Sequence, residues 1–435
     1  MPGALARLTA PMVLGVSSNI LVQTLEMGFI GQLTTQHVAA ITFTFPITMI
    51  LTSMALGISI GTSSVISRAV GAGTHEDSAK LGTHSLMLVA AFMLVLSAVA
   101  YYAQDQVFTA MGASAELLPL IRSYMDIYLP GAVLFTLVMI GGSVMRANGN
   151  ANIPGVVMTA GAFLNLALDP ILIFGWFGLP RLELAGAAWA NVITRLVLSG
   201  VMLYFVVSRD MVLVRNIAQG FMSSARRILH VGVPAMLTQL IGPVSAGLIT
   251  AMLAQHGEVV VAGFGVAGRI EAVAAIVMFA LSGSIGPFVG QNAGARLPRR
   301  VMAGVRTSYL FCLLYGLAMA IPLFFWGGSV ASWLEDEPTV VGTAALYLAI
   351  VPWSYALWGV LMMSSASFNA LGKPLPSTIL SFTRMFIVYL PLAALLNSLY
   401  GYQGIFIATL VSNCLLGVLG WYWFRASGVV RQASA

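Results

Sequence analysis

Twelve long apolar segments constrain this 435-residue chain more than any other feature of its sequence. Each holds about 20 or more mostly apolar residues, the length that an α-helix needs to cross a bilayer. Transmembrane β-strands would instead alternate over about 10 residues. The sequence therefore predicts an all-α integral membrane protein with twelve transmembrane helices. The segments are 10–33, 41–70, 80–103, 117–145, 153–176, 185–207, 229–253, 259–290, 303–326, 340–368, 376–398 and 402–425.

The composition excludes several classes of protein. Charged residues make up only 8% of the chain and hydrophobic residues 59%, whereas a soluble domain is about 25% charged. A soluble enzyme, a disordered chain and a nucleic-acid-binding module are therefore excluded. Cys312 and Cys414 lie in apolar runs, which predicts neither a disulfide framework nor a metal cluster. The N-terminal sequence shows no cleavage-site pattern, so we expect no cleaved signal peptide.

Basic residues between the segments predict the orientation in the membrane. If both termini are cytoplasmic, the outer loops carry only Arg181, and nearly all other cations between spans lie inside. Cytoplasmic loops of membrane proteins are rich in Lys and Arg, so we expect both termini in the cytoplasm. The inner cations are Arg7, Arg68, Lys80, Arg146, Arg209, Arg215, Arg226, Arg227, Arg296, Arg299, Arg300, Arg306, Lys373, Arg425 and Arg431.

An internal repeat divides the chain into halves. Prolines recur in the same order at nearly constant separation, and Gly186 matches Gly404; the proline pairs are Pro11 with Pro234, Pro130 with Pro352, Pro154 with Pro376 and Pro170 with Pro391. We predict a six-helix bundle at 1–207, a polar cytoplasmic linker at 208–228 and a second six-helix bundle at 229–435. An even number of spans per half makes the repeat parallel, with a pseudo-two-fold axis along the membrane normal. Such repeats often enclose a transport site.

Small residues and prolines inside the spans carry structural expectations. Gly57 with Gly61, and Gly286 with Gly290, have the small-xxx-small spacing that is typical of close helix packing. Prolines inside spans free backbone groups and predict kinks. The kink candidates are Pro46, Pro130 and Pro352.

Two acids in the first half are the strongest functional candidates. An ionisable group inside a span is costly and usually faces the bundle interior or water. Glu26 shares a helical face with Asn19 and Gln23, and Asp169 shares one with Asn165. The second half has apolar residues at the matching positions. We therefore predict that Glu26 and Asp169 carry the coupling ion; the supporting polar network, Asn19, Gln23, Asn165 and Asn191, would also shape the substrate site.

The chemistry of such acids follows from burial. Removal from water disfavours an ionised carboxylate, and a second carboxylate nearby disfavours it further. Two such groups could bind and release a proton, or they could hold Na⁺ through their oxygens. A cationic substrate would compete for the same negative site, and this competition is the minimal requirement for antiport.

Other charges within the spans are left without assigned partners. Glu271 is interpreted as a structural salt-bridge partner of another helix. Arg195 and Arg384 also lie within spans and need partners there. The sequence does not assign the pairs, and the roles of Glu271, Arg195, Arg269 and Arg384 stay open.

Several motifs resemble the multidrug and toxic compound extrusion (MATE) family along nearly the whole chain. The most specific is Leu164-Asn-Leu-Ala-Leu-Asp-Pro170, followed by Ile173-Phe-Gly175, Gly178-Leu-Pro180 and Gly186-Ala-Ala; Arg146-Ala-Asn-Gly-Asn150 and Val289-Gly-Gln-Asn-Ala-Gly-Ala295 are similar to two further family segments. In the first helix Pro11 and Gly31 match the family pattern, but Glu26 replaces an Asp and Met27 a Thr. Asn191 stands where Thr is usual.

The resemblance implies a V-shaped antiporter of two six-helix bundles in the bacterial inner membrane. It would export cationic amphiphilic drugs by alternating access, in exchange for H⁺ or, as an alternative, Na⁺. The acids in the first half look like the DinF branch, which implies that Glu26 and Asp169 carry protons and that the first helix kinks at Pro11. We expect no enzymatic activity, no cofactor, no nucleic acid and a monomer in contact with membrane lipid.

A flippase for lipid-linked saccharides, from the same wider superfamily, is the alternative function. Its substrate carries phosphates, so its cavity should be cationic. Arg195, Arg269 and Arg384 fit this alternative, whereas the acids of the first half argue against it.

Overall fold

The computed structural model describes residues 2–213 and 217–427. In these ranges it contains twelve helices that are long and apolar enough to span a membrane. No strand occurs in these two ranges, so the predicted all-α, twelve-helix architecture is confirmed. Arg215 and Arg431 lie outside the described residues. The helices are α1 (Pro2–Gly31), α2 (Thr35–Gly71), α3 (His75–Ala110), α4 (Leu118–Ala147), α5 (Asn152–Phe174), α6 (Leu184–Ser208), α7 (Phe221–Ala254), α8 (Glu258–Gly294), α9 (Pro298–Ala331), α10 (Pro338–Ala370), α11 (Pro374–Tyr400) and α12 (Tyr402–Ala426).

The helices pack as two compact units. Residues Ala10–Met236 form the first unit, and the described residues before Ala10 and from Leu237 onwards form the second. The boundaries therefore fall inside α1 and α7, next to Pro11 and Pro234, a pair from the predicted repeat. The sequence-based boundaries at 207 and 229 follow polarity between helices instead, and they stay a prediction.

Glycines allow close helix contacts in the first unit. A Cβ atom on Gly57 would come within 2.3 Å of Met236, and one on Gly61 would lie 2.5 Å from the Ile228 carbonyl oxygen. This confirms the packing role predicted for the pair on α2, whose partner is the start of α7. The prediction for Gly286 is wrong, because nothing lies within 4 Å of a Cβ placed there.

The repeat extends to individual packing contacts. A Cβ atom on Gly186 of α6 would lie 2.4 Å from the carbonyl oxygen of Leu172 on α5. Its counterpart, Gly404 of α12, would place a Cβ atom 2.2 Å from the carbonyl oxygen of Leu396 on α11. Each unit thus uses one glycine to bring two consecutive helices into backbone contact.

Two helices of the second unit contain irregular turns. A 3-10 turn interrupts α10 at Val351–Ser354, and a π-helical turn interrupts α11 at Thr383–Tyr389. Proline cannot donate a backbone hydrogen bond, and Pro352 lies in the first turn while Pro391 follows the second. The kink predicted at Pro352 coincides with the 3-10 turn, where the regular helix is interrupted. The helices around Pro46 and Pro130 continue without interruption.

The polar segment after α6 folds against α3. Thr83 Oγ1 donates to the Leu213 carbonyl at 2.9 Å and accepts from the Leu213 amide at 2.7 Å. The His84 ring contacts Ser224 Oγ at 2.8 Å and the Ile217 carbonyl oxygen at 2.9 Å. The predicted linker 208–228 is helical from Phe221, because α7 begins there.

Candidate ion-coupling site

Asp169 lies near the end of α5 and is fully buried. One of its oxygens, Oδ2, accepts a hydrogen bond of 2.9 Å from the Asn165 side-chain amide, one helical turn earlier. This is the pair that the sequence spacing predicts. The other oxygen, Oδ1, is buried with no hydrogen-bond partner. A buried polar atom without a partner is rare and calls for an explanation such as a functional role or a bound water or ion.

Glu26 is half-buried on α1, and its partner comes from α6. The Asn191 amide nitrogen donates to Glu26 Oε1 at 2.8 Å and also to the Ala187 carbonyl oxygen at 3.1 Å. Glu26 and Asn191 are two of the three positions at which the sequence departs from the family pattern, and the third is Met27. In this chain the longer Glu and the amide of Asn form one hydrogen bond together.

The connection between α5 and α6 fixes the position of Asp169 relative to Asn191. The backbone amides of Leu182 and Glu183 donate to the Leu172 and Ile173 carbonyls, each at 3.1 Å. Gly175 follows α5 with φ of +75°, a left-handed conformation that favours glycine. Together with the close approach of Gly186 to Leu172, these bonds join the two helices that carry the polar site residues.

Electrostatics connect the two acids with an arginine and a tyrosine. Glu26 interacts electrostatically with Asp169 and with Arg195, and the hydroxyl of Tyr124 interacts with all three. The rings of Tyr124 and Tyr128 stack with their centroids 5.5 Å apart. We call Glu26, Asp169, Asn165, Asn191 and Arg195 the acid site.

The sequence does not identify a partner for Arg195, and the structure places its guanidinium group over two aromatic rings. Its guanidinium carbon lies 4.8 Å from the centroid of Tyr128 and 5.0 Å from that of Phe135. Its Nη1 atom is buried with no hydrogen-bond partner. Arg195 follows Asn191 by one helical turn. This spacing could have predicted that Arg195 shares a face of α6 with Asn191, the residue that bonds Glu26. Nothing in the sequence indicated which rings of α4 it would contact.

Asn19 and Gln23 are less closely tied to the acids. Both side chains are exposed on α1, and among the described residues no hydrogen bond joins either of them to Glu26 or Asp169. Pro11 lies within α1, which continues through it as one helix. A Cβ atom on Gly155 of α5 would lie 2.5 Å from the Pro11 carbonyl oxygen. The roles of Asn19 and Gln23, and the kink at Pro11, stay predictions.

Glu271 of α8 has a different partner from the one expected. Tyr347 and Tyr355 of α10 donate to Glu271 Oε2 at 2.5 and 3.3 Å. Among the described residues no salt bridge involves Glu271, so the favoured interpretation as a salt-bridge partner is wrong. Arg384 interacts with it electrostatically, without direct contact, and Arg269 is exposed.

The acid site can take up small cations by protonation or coordination. Oxygen atoms with free lone pairs suit H⁺ and hard cations such as Na⁺. Within the described ranges no group of three or more His, Cys, Asp or Glu side chains is placed to hold a metal ion. Coordination of Na⁺ would therefore depend on amide and carbonyl oxygens beside the two carboxyl groups.

Known proteins with similar sequence and structure cover almost the whole chain. The sequence model of the MatE family matches twice, at residues 11–171 and 234–395, which agrees with the internal repeat. An FAD transporter of Shewanella oneidensis is 34% identical over 96% of this chain and 93% of its own length. The multidrug export protein MepA of Staphylococcus aureus is 25% identical over 95% of this chain and 91% of its own.

Solved structures give the same assignment. A mutant of the Vibrio cholerae MATE transporter VcmN superposes with a TM-score of 0.95 and 31% identity over 98% of each chain. VcmN in the bent form gives 0.93 and 31% identity, over 99% of this chain and 97% of its own. The relatives are transporters, so the expectation of a non-enzymatic membrane protein is confirmed. The chain belongs to the MatE family of membrane transporters.

Proposed function

We propose that this protein is an antiporter that exports organic cations and drugs in exchange for H⁺, with protonation of the acid site driving substrate release. The observation that carries the proposal is Asp169, which is fully buried, has one oxygen without a partner and interacts electrostatically with Glu26. A proton on either acid removes one negative charge from a site that attracts cations. Cationic drug and proton therefore compete, and each favours release of the other.

The relatives support export as the direction of transport. MepA is named a multidrug export protein, and a MATE transporter in an outward-facing conformation, described as a multidrug resistance protein, has a TM-score of 0.92 to this chain. Such bacterial relatives support a location in the plasma membrane, and the distribution of basic residues favours cytoplasmic termini. We further infer that the two units alternate access to the acid site, as the repeat implies.

Export of FAD is a second candidate, which the Shewanella oneidensis relative favours at 34% identity. FAD joins two planar aromatic ring systems through a flexible chain with two phosphates, so it needs a cation and stacking partners. Arg195, with an unpartnered buried nitrogen beside Tyr128 and Phe135, offers both in one place. The saccharide flippase remains a third candidate, supported only by the arginines.

Transport into vesicles with one gradient at a time tests these proposals. Purified protein in liposomes would receive a pH gradient or a Na⁺ gradient, with ethidium or FAD as the transported substrate. We expect ethidium exchange under the pH gradient. Exchange under the Na⁺ gradient alone would assign Na⁺ as the coupling ion. Transport of FAD without ethidium would favour the second candidate, and transport of neither contradicts both.

The Glu26–Asn191 bond makes a separate prediction. Replacing Glu26 with Asp shortens the side chain by one methylene and should break its 2.8 Å bond to Asn191. A hydrogen bond to a charged group is worth about 1.5–3 kcal/mol, so we expect a roughly tenfold or greater loss of ethidium exchange. Asn191→Thr should lose activity by a similar factor.

The double variant is the informative measurement. Glu26→Asp with Asn191→Thr restores the residue types of the family pattern at these two positions, and we expect it to be more active than either single variant. A double-mutant cycle of exchange rates measures this coupling. Losses that simply multiply would show that the two side chains act independently in transport.

A further inference from the structure

A second buried polar cluster lies in the second unit, within the residues from Leu237 onwards. It joins Glu271 of α8 to Tyr347 and Tyr355 of α10, with Arg384 of α11 within electrostatic range. The cluster continues through Asn413 of α12 to Ser354 of α10. We call these six residues the Glu271 cluster.

Glu271 holds together the two sides of the break in α10. Tyr347 lies one helical turn before the 3-10 turn Val351–Ser354, and Tyr355 comes directly after it. Both hydroxyls donate to the same oxygen, Oε2, at 2.5 and 3.3 Å. Because Pro352 cannot supply the backbone hydrogen bond of a regular helix, this carboxylate provides a link across a point where the helix is weakened.

The irregular turn of α11 is linked to the 3-10 turn of α10 through Asn413. Arg384 lies in the π-helical turn Thr383–Tyr389, and its Nη1 atom donates to Asn413 Oδ1 at 3.1 Å. The Asn413 amide donates to Ser354 Oγ at 3.0 Å, inside the 3-10 turn. Interruptions of this kind within α-helices are frequent at functional sites. Within the described residues, the two irregular turns of this unit thus both belong to the Glu271 cluster, the 3-10 turn through Ser354 and the π-helical turn through Arg384.

The groups that face Glu271 decide what a proton there would do. Tyr347 and Tyr355 of α10 donate to its carboxylate, and Arg384 of α11 interacts with it at a distance. Tyr389 of α11 interacts with Arg384 rather than with Glu271, and Tyr315 of α9 donates to the Ala274 carbonyl at 2.8 Å. Of these, only Arg384 is a cation, and it makes no direct contact. The ionised carboxylate is thus held by two neutral donors and one attraction at a distance, and all three weaken when Glu271 gains a proton.

We propose that Glu271 is a second proton-binding site of the transporter and that its protonation loosens the break in α10. The proposal rests on the proton coupling proposed above, and it adds a site in the other unit. The acid site would set the competition between drug and proton. The Glu271 cluster would convert proton uptake into mobility of α10 between Tyr347 and Tyr355.

Amide hydrogen exchange of the full-length protein in lipid nanodiscs tests this proposal. The readout is protection of the segment 347–355 at pH 8 and pH 5.5, corrected for the intrinsic pH dependence of amide exchange. In the wild type we expect protection to fall by about tenfold on acidification, the equivalent of losing one hydrogen bond to a charged group. Glu271→Gln keeps an acceptor oxygen for the tyrosines and should show low protection that no longer depends on pH.

Two further variants keep the result decisive. Tyr347→Phe with Tyr355→Phe removes both donors without removing the acid, and should also lose most of the pH-dependent protection. Glu258→Gln, at the exposed first turn of the same helix, should behave as the wild type. A pH-dependent change in the wild type that survives in Glu271→Gln would overturn the proposal, and so would equal protection at both pH values.

The outcome is separable from that of the proposed function. Asp169→Asn and Glu26→Gln test proton-coupled exchange, whereas protection of 347–355 reports Glu271 alone. If those variants lose exchange while protection does not depend on pH, the acid site stands and the second proton site fails. If those variants exchange substrate at the wild-type rate, the proposed coupling fails. The amide hydrogen exchange experiment then still decides whether Glu271 takes up a proton.

Discussion

Replacing Asp169 with asparagine is expected to abolish proton-driven ethidium exchange, reducing it to the level of empty liposomes. Asparagine can still accept the Asn165 hydrogen bond through its oxygen, so local packing should survive. Its NH₂ group, however, takes the place of the unpartnered Oδ1 atom and cannot bind a proton at any accessible pH. Position 169 is then neutral at every pH, so a proton gradient has no group at this position on which to act.

Asp126→Asn is the matched control for this prediction. Asp126 is exposed on α4 and accepts from the Gln104 side chain at 2.8 Å, so its loss should leave exchange unchanged. The measurement is exchange per folded protein, with folding checked by gel filtration in detergent. Wild-type exchange by Asp169→Asn would assign proton coupling to another group. Loss in both variants would point to a general effect of removing acids.

The sequence predicts the helices and the contacts within each helix well. Apolar length alone identifies the twelve spans, because a bilayer demands it of any helix that crosses. Asn165 and Asp169 are correctly paired because residues four apart on a helix are neighbours whatever surrounds them. The proline repeat is likewise visible, since it depends only on order and spacing along the chain.

Contacts between helices could not be predicted in the same way. The Glu26–Asn191 bond joins residues on α1 and α6, and helical periodicity does not say which faces of two helices meet. For the same reason the stacking of Arg195 on Tyr128 was missed. The sequence predicts a cation as the partner of Glu271, because an ionised acid attracts a cation. The structure supplies two tyrosine hydroxyls instead, and the two tyrosines are separated by a 3-10 turn rather than by regular helix.

The break at Pro352 shows how context decides the effect of one residue type. Pro130 is its counterpart in the repeat, yet α4 continues through it while α10 changes to a 3-10 turn. The difference coincides with hydrogen bonds at the second proline's turn, because Asn413 donates to Ser354 inside it and Glu271 accepts from the tyrosines that flank it. Freed backbone groups within a membrane need such partners or a cavity. The two units thus share a scaffold but place their acids on different helices.

Gly186→Ala is expected to destabilise the protein and to reduce transport together. The added methyl would lie 2.4 Å from the Leu172 carbonyl oxygen and 2.5 Å from its carbonyl carbon, distances too short for real side chains. These are backbone atoms, so α5 and α6 must move apart rather than repack a side chain. Overpacking of this kind costs about 1–3 kcal/mol. Moving α5 away from α6 also separates Asp169, which lies on α5, from Asn191, which lies on α6.

Gly200→Ala on the same helix separates these effects from those of helix propensity. Nothing lies within 4 Å of a Cβ atom at Gly200, so the change should be neutral or should stabilise α6 by about 0.5–1 kcal/mol. The melting temperature of the purified protein and its ethidium exchange measure both consequences. Gly404→Ala, the repeat counterpart, should lower the melting temperature as Gly186→Ala does. A Gly186→Ala variant as stable and active as Gly200→Ala would show that α5 and α6 do not need this close contact to hold the acid site.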